Sequence, residues 1–160
     1  MKKSVYIESS VVSFLTSRPS RDIVVTAYQQ ITRDWWDVER GSYECFVSDF
    51  VIDEISRGDP HAASLRIEAV REFKKLALSE TVLDLAGKYK TVLPIPKKAQ
   101  LDLLHLAICV GNGIDYVLSW NFKHIVNAAI REKLQDVNTD LGLRTPVICT
   151  PEELIGGSYD

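Results

Sequence analysis

Cysteine is scarce in this chain, and its placement excludes two architectures at once. Cys45, Cys109 and Cys149 are far apart in apolar surroundings, with no CxxC or Cys/His spacing. An odd, scattered set argues against a disulfide frame and against structural zinc. Each thiol reads as a small buried hydrophobe. Neither staple is required, because a domain of this length buries roughly 70% of the surface its unfolded chain exposes. No apolar run reaches the roughly 18 residues of a membrane span. The opening Met-Lys-Lys resembles the start of a signal peptide, but Glu8 follows before any apolar core, so the expectation is a mature cytoplasmic protein. Strong positive charge is missing too: 19 Lys and Arg stand against 22 Asp and Glu, for a net charge of −3. The basic signature of a nucleic-acid binder is therefore absent, and any phosphate contact must come from local cations or bound metal. Repeats, low-complexity segments and linkers are lacking as well; Pro94 and Pro96 mark only a turn. The expectation is one domain over residues 1–155 with a flexible tail at 156–160.

What is present is an alternation of strands and helices. Residues 4–8, Ser-Val-Tyr-Ile-Glu, read as a short buried strand ending on an acid. Cys45–Ser48, Tyr116–Ser119 and Val147–Cys149 read as three more. Ile23 to Trp36 carries Val24, Ala27, Tyr28, Ile31 and Trp35 at helical spacing. Ser48 is a good N-cap for a helix over Asp49–Ile55. Further helices are expected at Ala62–Phe73, Glu80–Tyr89, Lys97–Val110 and Ile125–Leu134. Gly111-Asn112-Gly113 supplies a stop after the third of these, and Thr150-Pro-Glu-Glu153 forms a capping box at the start of a last short helix. This order predicts a three-layer α/β/α domain around a mostly parallel sheet.

In such sheets ligands bind outside the carboxyl ends of the strands, which directs attention to the residues placed there. Glu8 ends the first strand, where it either favours the following helix N-terminus or serves a ligand. Asp102 and His105 are the polar residues of Leu101-Asp-Leu-Leu-His-Leu-Ala-Ile-Cys-Val110, one turn apart. A carboxylate in an apolar helix is costly unless paired or bound to a cation. A cation is preferred over an internal pair with His105, which reads as a supporting residue because hard cations take oxygen ligands. Among Asp49, Asp53 and Glu54, the first is explained by the helix dipole. Glu54 lies beside the buried stripe of Phe50 and Val51, leaving Asp53 for solvent. Asn121 follows the third strand and either caps the next helix or offers its carbonyl oxygen to a metal. Asp115 precedes that strand, at the opposite edge, and reads as structural. Arg18, Arg21, Arg57, Lys97, Lys98 and Lys123 are candidate phosphate contacts or ordinary surface cations. Trp35, Trp36 and Trp120 are available for base stacking or for the core.

Taken in order, Tyr-Ile-Glu8-Ser-Ser, Val51-Ile-Asp-Glu54, Ala99-Gln-Leu-Asp102-Leu-Leu-His and Leu118-Ser-Trp-Asn121 resemble the acidic positions of the PIN-domain nucleases. The likeness covers residues 4 to about 124, and Pro146 to Leu154 is also similar to PIN-like proteins. It implies a metal-dependent ribonuclease, often the toxin of a toxin–antitoxin pair of the VapC type, with an antitoxin partner and a homodimer. Glu8, Glu54 and Asp102 would hold Mg²⁺ or Mn²⁺, Asn121 would fill the fourth catalytic position, and Ser10 would orient a ligand or phosphate. Arg21 and Lys123 would bind the RNA substrate. The chain departs from the family pattern in two places, with Glu8 where Asp is usual and Asn121 where Asp is frequent. Two like charges about 4 Å apart repel by roughly 4 kcal/mol at a surface-like dielectric, so such an acidic cluster attracts a cation. The two departures also support a second reading, a PIN-like binding module without turnover that pairs with an antitoxin or itself. A phosphohydrolase with an aspartyl nucleophile is disfavoured, because the first strand ends in Glu-Ser-Ser without an Asp-x-Asp pair.

Overall fold

The computed structural model describes residues 1–156. Five strands, β1 (Lys3–Ile7), β2 (Tyr43–Val47), β3 (Lys74–Lys75), β4 (Tyr116–Leu118) and β5 (Val147–Cys149), form one sheet in the order β3-β2-β1-β4-β5. Every pairing is parallel. Helices cover such a sheet on both faces, so its central strand is apolar at consecutive positions: Val5, Tyr6 and Ile7 are all fully buried. The architecture is the three-layer α/β/α one expected.

The chain first steps outward from β1 to β2 and β3, then returns across the sheet to β4 and β5. The order therefore reverses between β1 and β4, which opens a crevice at their carboxyl ends. Ile7 is paired with Leu118, so the next residues, Glu8 and Ser119, enter that crevice together. Glu8 N donates to Leu118 O at 3.1 Å, extending the pairing by one step.

Seven α-helices fill the connections among the described residues: α1 (Ser9–Thr16), α2 (Ile23–Asp34), α3 (Asp49–Ile55), α4 (Pro60–Val70), α5 (Glu80–Val92), α6 (Gln100–Gly111) and α7 (Ala128–Asp140). Six of the seven start on a side-chain cap, α6 being the exception. Asp22 accepts from Val24 N and Val25 N, Ser48 from Val51 N, Asp59 from Ala62 N and Ser79 from Val82 N.

Several expectations require correction. The helix expected from Ala62 to Phe73 ends at Val70. The chain then forms β3, whose two exposed lysines carry no apolar pattern to announce a strand. The helix expected from Ile125 begins at Ala128, because Asn127 rather than Asn121 caps it by accepting from Ala129 N and Ile130 N. The Lys97 start expected for the apolar helix is a short 3-10 turn, and α6 proper starts at Gln100. In α2 the expected apolar face is turned outward at its first end: Val24 and Ala27 are exposed, whereas Gln29 and Thr32 are buried. Gln29 bonds Ser17 Oγ, Arg18 O and Ser20 N, and Thr32 Oγ1 takes the indole N–H of Trp120 at 2.8 Å. Satisfied polar groups of this kind are as buriable as apolar ones, and periodicity does not reveal them. At the chain's end Thr150 N donates to Glu153 Oε2 at 2.8 Å, as the capping box requires, and Gly156 N donates to Glu39 Oε1 at 2.9 Å. The rest of the expected flexible tail, 157–160, lies outside the described residues. Among the described residues, no helix is long and apolar enough to cross a membrane.

Gly111, the last residue of α6, lies against α5 so closely that an added Cβ would come within 2.7 Å of Val82 Cγ2. Val82 is buried and β-branched, so it has no free rotamer to retreat into. Gly111→Ala is expected to cost about 1–3 kcal/mol by overpacking, more than any helix-propensity gain, and to lower Tm by roughly 2–4 °C per kcal/mol. A thermal melt at or above that of the parent contradicts this close packing.

Candidate active site at the carboxyl edge of the sheet

Glu8 is the N-cap of α1 and is almost fully buried. Its Oε2 accepts Ser10 N at 3.0 Å, and its Oε1 accepts the hydroxyls of Ser10, at 2.6 Å, and of Ser119. Both serines also accept from the backbone of the β4 exit: Trp120 N donates to Ser10 Oγ at 2.8 Å and Asn121 N to Ser119 Oγ at 2.9 Å. One carboxylate thus fastens the end of β1 to the end of β4. Ser10 is where the family likeness places a ligand-orienting residue, and the acid it orients is Glu8.

From this fastening a first hydrogen-bonded chain runs to Asp102. Asn121 Oδ1 accepts His124 N at 3.0 Å, closing a tight turn, and His124 Nδ1 donates to Asp102 Oδ2 at 2.9 Å. The internal Asp102–His105 pair considered from sequence is not formed. Because α6 starts at Gln100, Asp102 also sits in a first helical turn, where the dipole favours negative charge. Asp102 therefore has two stabilising influences that sequence did not show, the His124 ring and the N-terminus of α6.

A second chain begins at Ser9. Its hydroxyl donates to Glu54 Oε1 at 2.9 Å, and His105 Nε2 donates to the same oxygen at 2.5 Å. His105 Nδ1 lies 2.5 Å from Tyr6 Oη, which lies 2.7 Å from Ser48 Oγ. Tyr6, His105 and Ser48 have no solvent exposure at all. Tyr6 Oη thus bonds both Ser48 and His105, and His105 bonds both Tyr6 and Glu54, so every buried group along this chain has a partner. Burial by itself raises the pKa of Glu54. The hydrogen bond and electrostatic attraction of His105, the bond from Ser9 and the nearby Arg57 outweigh burial and hold the carboxyl below the ordinary glutamate value. Glu54 turns inward and Asp53 outward, as helical phase predicts.

Glu8, Asp102, Asn121 and Glu54 are thereby assembled on one edge, in two chains that meet at Glu8-Ser9-Ser10. The side chains of Glu54 and Asp102 remain 25% and 17% exposed. Among the described residues Glu54 Oε2 and Asp102 Oδ1 have no hydrogen-bond partner. These free oxygens have the chemistry a hard divalent cation takes. As they stand, no three His, Cys, Asp or Glu side chains among the described residues are grouped closely enough to hold an ion.

Sequence reasoning gave no role to Ser9, Ser119, His124 and Tyr6. Ser119 and His124 flank Asn121 at a strand end, which is the one signal that marked them. Arg18, Arg21, Arg57, Lys97, Lys98 and Lys123 are all exposed. Lys123 lies two residues beyond Asn121, whereas no hydrogen bond or ion pair among the described residues ties Arg21 to this edge. Trp120 and Trp35 are core residues. Asp115 is structural, accepting Ser4 N at 2.8 Å and Arg144 Nη1 at 3.0 Å on the opposite edge. Burial pushes the thiols of Cys45 and Cys149 up to about 11 and about 12, so neither is a ready nucleophile.

No family model and no curated protein matches this chain. Among solved structures it is similar to a tyrosyl-tRNA synthetase from Archaeoglobus fulgidus complexed with L-tyrosine. The two are 14% identical with a TM-score of 0.45, covering 92% of this chain and 54% of that one. The chain spans about half the length of that enzyme, and a likeness at this level carries no argument about either fold or chemistry.

Glu8→Ala removes the acceptor of three donors and a helix cap together, so it is expected to destabilise the domain by about 2–4 kcal/mol. Glu8→Gln keeps one oxygen in place and is expected to cost less. Urea denaturation measures both; an alanine variant with the parent's midpoint would show that the carboxylate does not fasten β1 to β4.

Proposed function

We propose that the chain is a metal-dependent endoribonuclease of the PIN type, acting in the cytoplasm and serving as the toxin of a toxin–antitoxin pair. The observation that carries this reading is the convergence of Glu8, Glu54, Asp102 and Asn121 on the crevice between β1 and β4. Glu54 and Asp102, each with a free oxygen, would be the main ligands for Mg²⁺ or Mn²⁺, with Glu8, already engaged by three donors, as the third acid. Such an ion supplies positive charge to the scissile phosphate and acidifies water. The protein's own residues supply the rest. His105 and Ser9 hold Glu54 in place through Oε1, and His124 holds Asp102 through Oδ2, leaving the opposite oxygen of each to face the ion. As the water oxygen bonds phosphorus it gives up a proton to solvent, the ester bond to the leaving oxygen breaks, and that oxygen takes a proton from solvent. Lys123 and Arg57 are the cations placed to meet neighbouring phosphates. Single-stranded or looped RNA fits better than duplex, because its bases are open to stacking and edge contacts. The proposal extends to a protein antitoxin and to a homodimer, for which the exposed Ile23 and Val24 at the outer end of α2 are the apolar residues to be covered.

Cleavage of a labelled RNA pool with Mn²⁺, compared between the parent and Asp102→Ala, tests the reading. The parent is expected to cut, and the variant to lose about a hundredfold or more in rate. Equal cutting by both would assign the activity to a contaminant or to another site. If neither cuts while Mn²⁺ still binds the parent, the chain is a PIN-like binding module without turnover.

A further inference from the structure

Beside Asn121 lies a cleft of about 310 Å³ that the proposed chemistry does not use. Its wall is aromatic. Trp120 lies flat against Tyr28, with ring centroids 4.3 Å apart and planes inclined by 24°, and its indole N–H is tied to Thr32. Phe122 stands at 5.7 Å from Tyr28 and 6.0 Å from Trp120, and it is 45% exposed. Its backbone is fixed on both sides: Phe122 N donates to Trp120 O at 3.0 Å, and Phe122 O accepts from Asn127 Nδ2 at 3.2 Å. The backbone that carries the exposed ring is therefore held in place.

The remaining walls are polar and of both kinds. Arg131 is held by its Nη1 on Ile148 O at 3.0 Å and forms no ion pair among the described residues, although Glu152 and Glu153 line the same cleft. Glu153 is committed to Thr150, whereas Glu152 is exposed and its carboxylate has no hydrogen-bond partner among the described residues. A planar aromatic face beside one free donor group and one free acceptor group matches a heterocycle with both kinds of edge. Lys123, exposed and next to Phe122, supplies a cation for the backbone that carries such a heterocycle. Asn121 lies in the chain between the two wall residues Trp120 and Phe122.

We propose that this cleft is a nucleobase subsite, in which a base of single-stranded RNA stacks on Phe122 and Tyr28 while Arg131 and Glu152 meet its edge. The subsite rests on the ribonuclease reading and deepens it, seating the strand beside the acidic edge. Base–aromatic stacking is tolerant of base identity, so the subsite sets the position of the strand more than its sequence.

The test is fluorescence anisotropy of a short labelled single-stranded RNA, with EDTA present so that no cleavage intervenes. The same oligonucleotide with abasic positions serves as a control, and thermal melts confirm folding. Phe122→Ala is expected to weaken binding about 5- to 150-fold, the range of one lost stacked base, while Phe122→Tyr restores it. The abasic oligonucleotide should bind the parent about as weakly as the intact one binds Phe122→Ala. RNA binding unchanged in a folded Phe122→Ala variant overturns the subsite and leaves the ribonuclease reading standing. Phe122-dependent binding without any Mn²⁺-dependent cutting supports the subsite and overturns the nuclease. Absence of RNA binding by the parent overturns both.

Discussion

The buried carboxylate of Glu8 accepts Ser10 N and the hydroxyls of Ser10 and Ser119, and the geometry of the carboxyl edge between β1 and β4 follows from those three bonds. In an all-parallel sheet the chain cannot turn directly from one strand into its neighbour, so β1 and β4 are adjacent in space but remote in sequence. Their backbone pairing ends with the bond from Glu8 N to Leu118 O. Beyond that point the two chains diverge, and their free backbone N–H groups require acceptors. Ser10 and Ser119 satisfy Trp120 N and Asn121 N, and Glu8 takes the hydroxyl hydrogens those serines would otherwise leave unpaired. A buried charge is tolerated because it is surrounded by donors, and the same donors define where the crevice opens.

From that junction the other acids are placed by relays rather than by direct contact. Asp102 is reached through Asn121 and His124, and Glu54 is reached through Ser9, with His105, Tyr6 and Ser48 behind it. Each acid is bonded on one oxygen by a side chain that is itself anchored. This is how a protein orients a carboxylate without spending both of its oxygens. The buried Tyr6–His105 pair also explains why a histidine is found in the most apolar helix. It is a satisfied core group that aims Glu54, not a partner of Asp102.

The strands at 4–8, 45–48, 116–119 and 147–149 were legible because a buried parallel sheet demands consecutive apolar residues between polar ends. Their position at strand ends made Glu8 and Asn121 visible, and helical phase separated Glu54 from Asp53. What escaped was whatever depended on contacts between distant segments. β3 is two exposed lysines whose strand character comes only from the edge of β2. The turn of α2 is set by Gln29 and Thr32, which are buried because loops and Trp120 happen to satisfy them. The partner of Asp102 could not be read either, because His124 is 22 residues away and arrives only once β4 is in place. An i, i+3 pairing with His105 was the nearest local solution, and the tertiary one displaced it.

Under the proposed function, Glu54 and Asp102, each with one oxygen left open, would share a divalent cation at the switch point of the sheet. Anomalous diffraction from crystals grown with Mn²⁺ addresses it directly. The account predicts a manganese peak at the carboxyl edge, bonded to carboxylate oxygens of Glu54 and Asp102 and lost in Asp102→Ala crystals. Crystals saturated with Mn²⁺ that show no peak at this edge, or a peak that persists unchanged in Asp102→Ala, would contradict it.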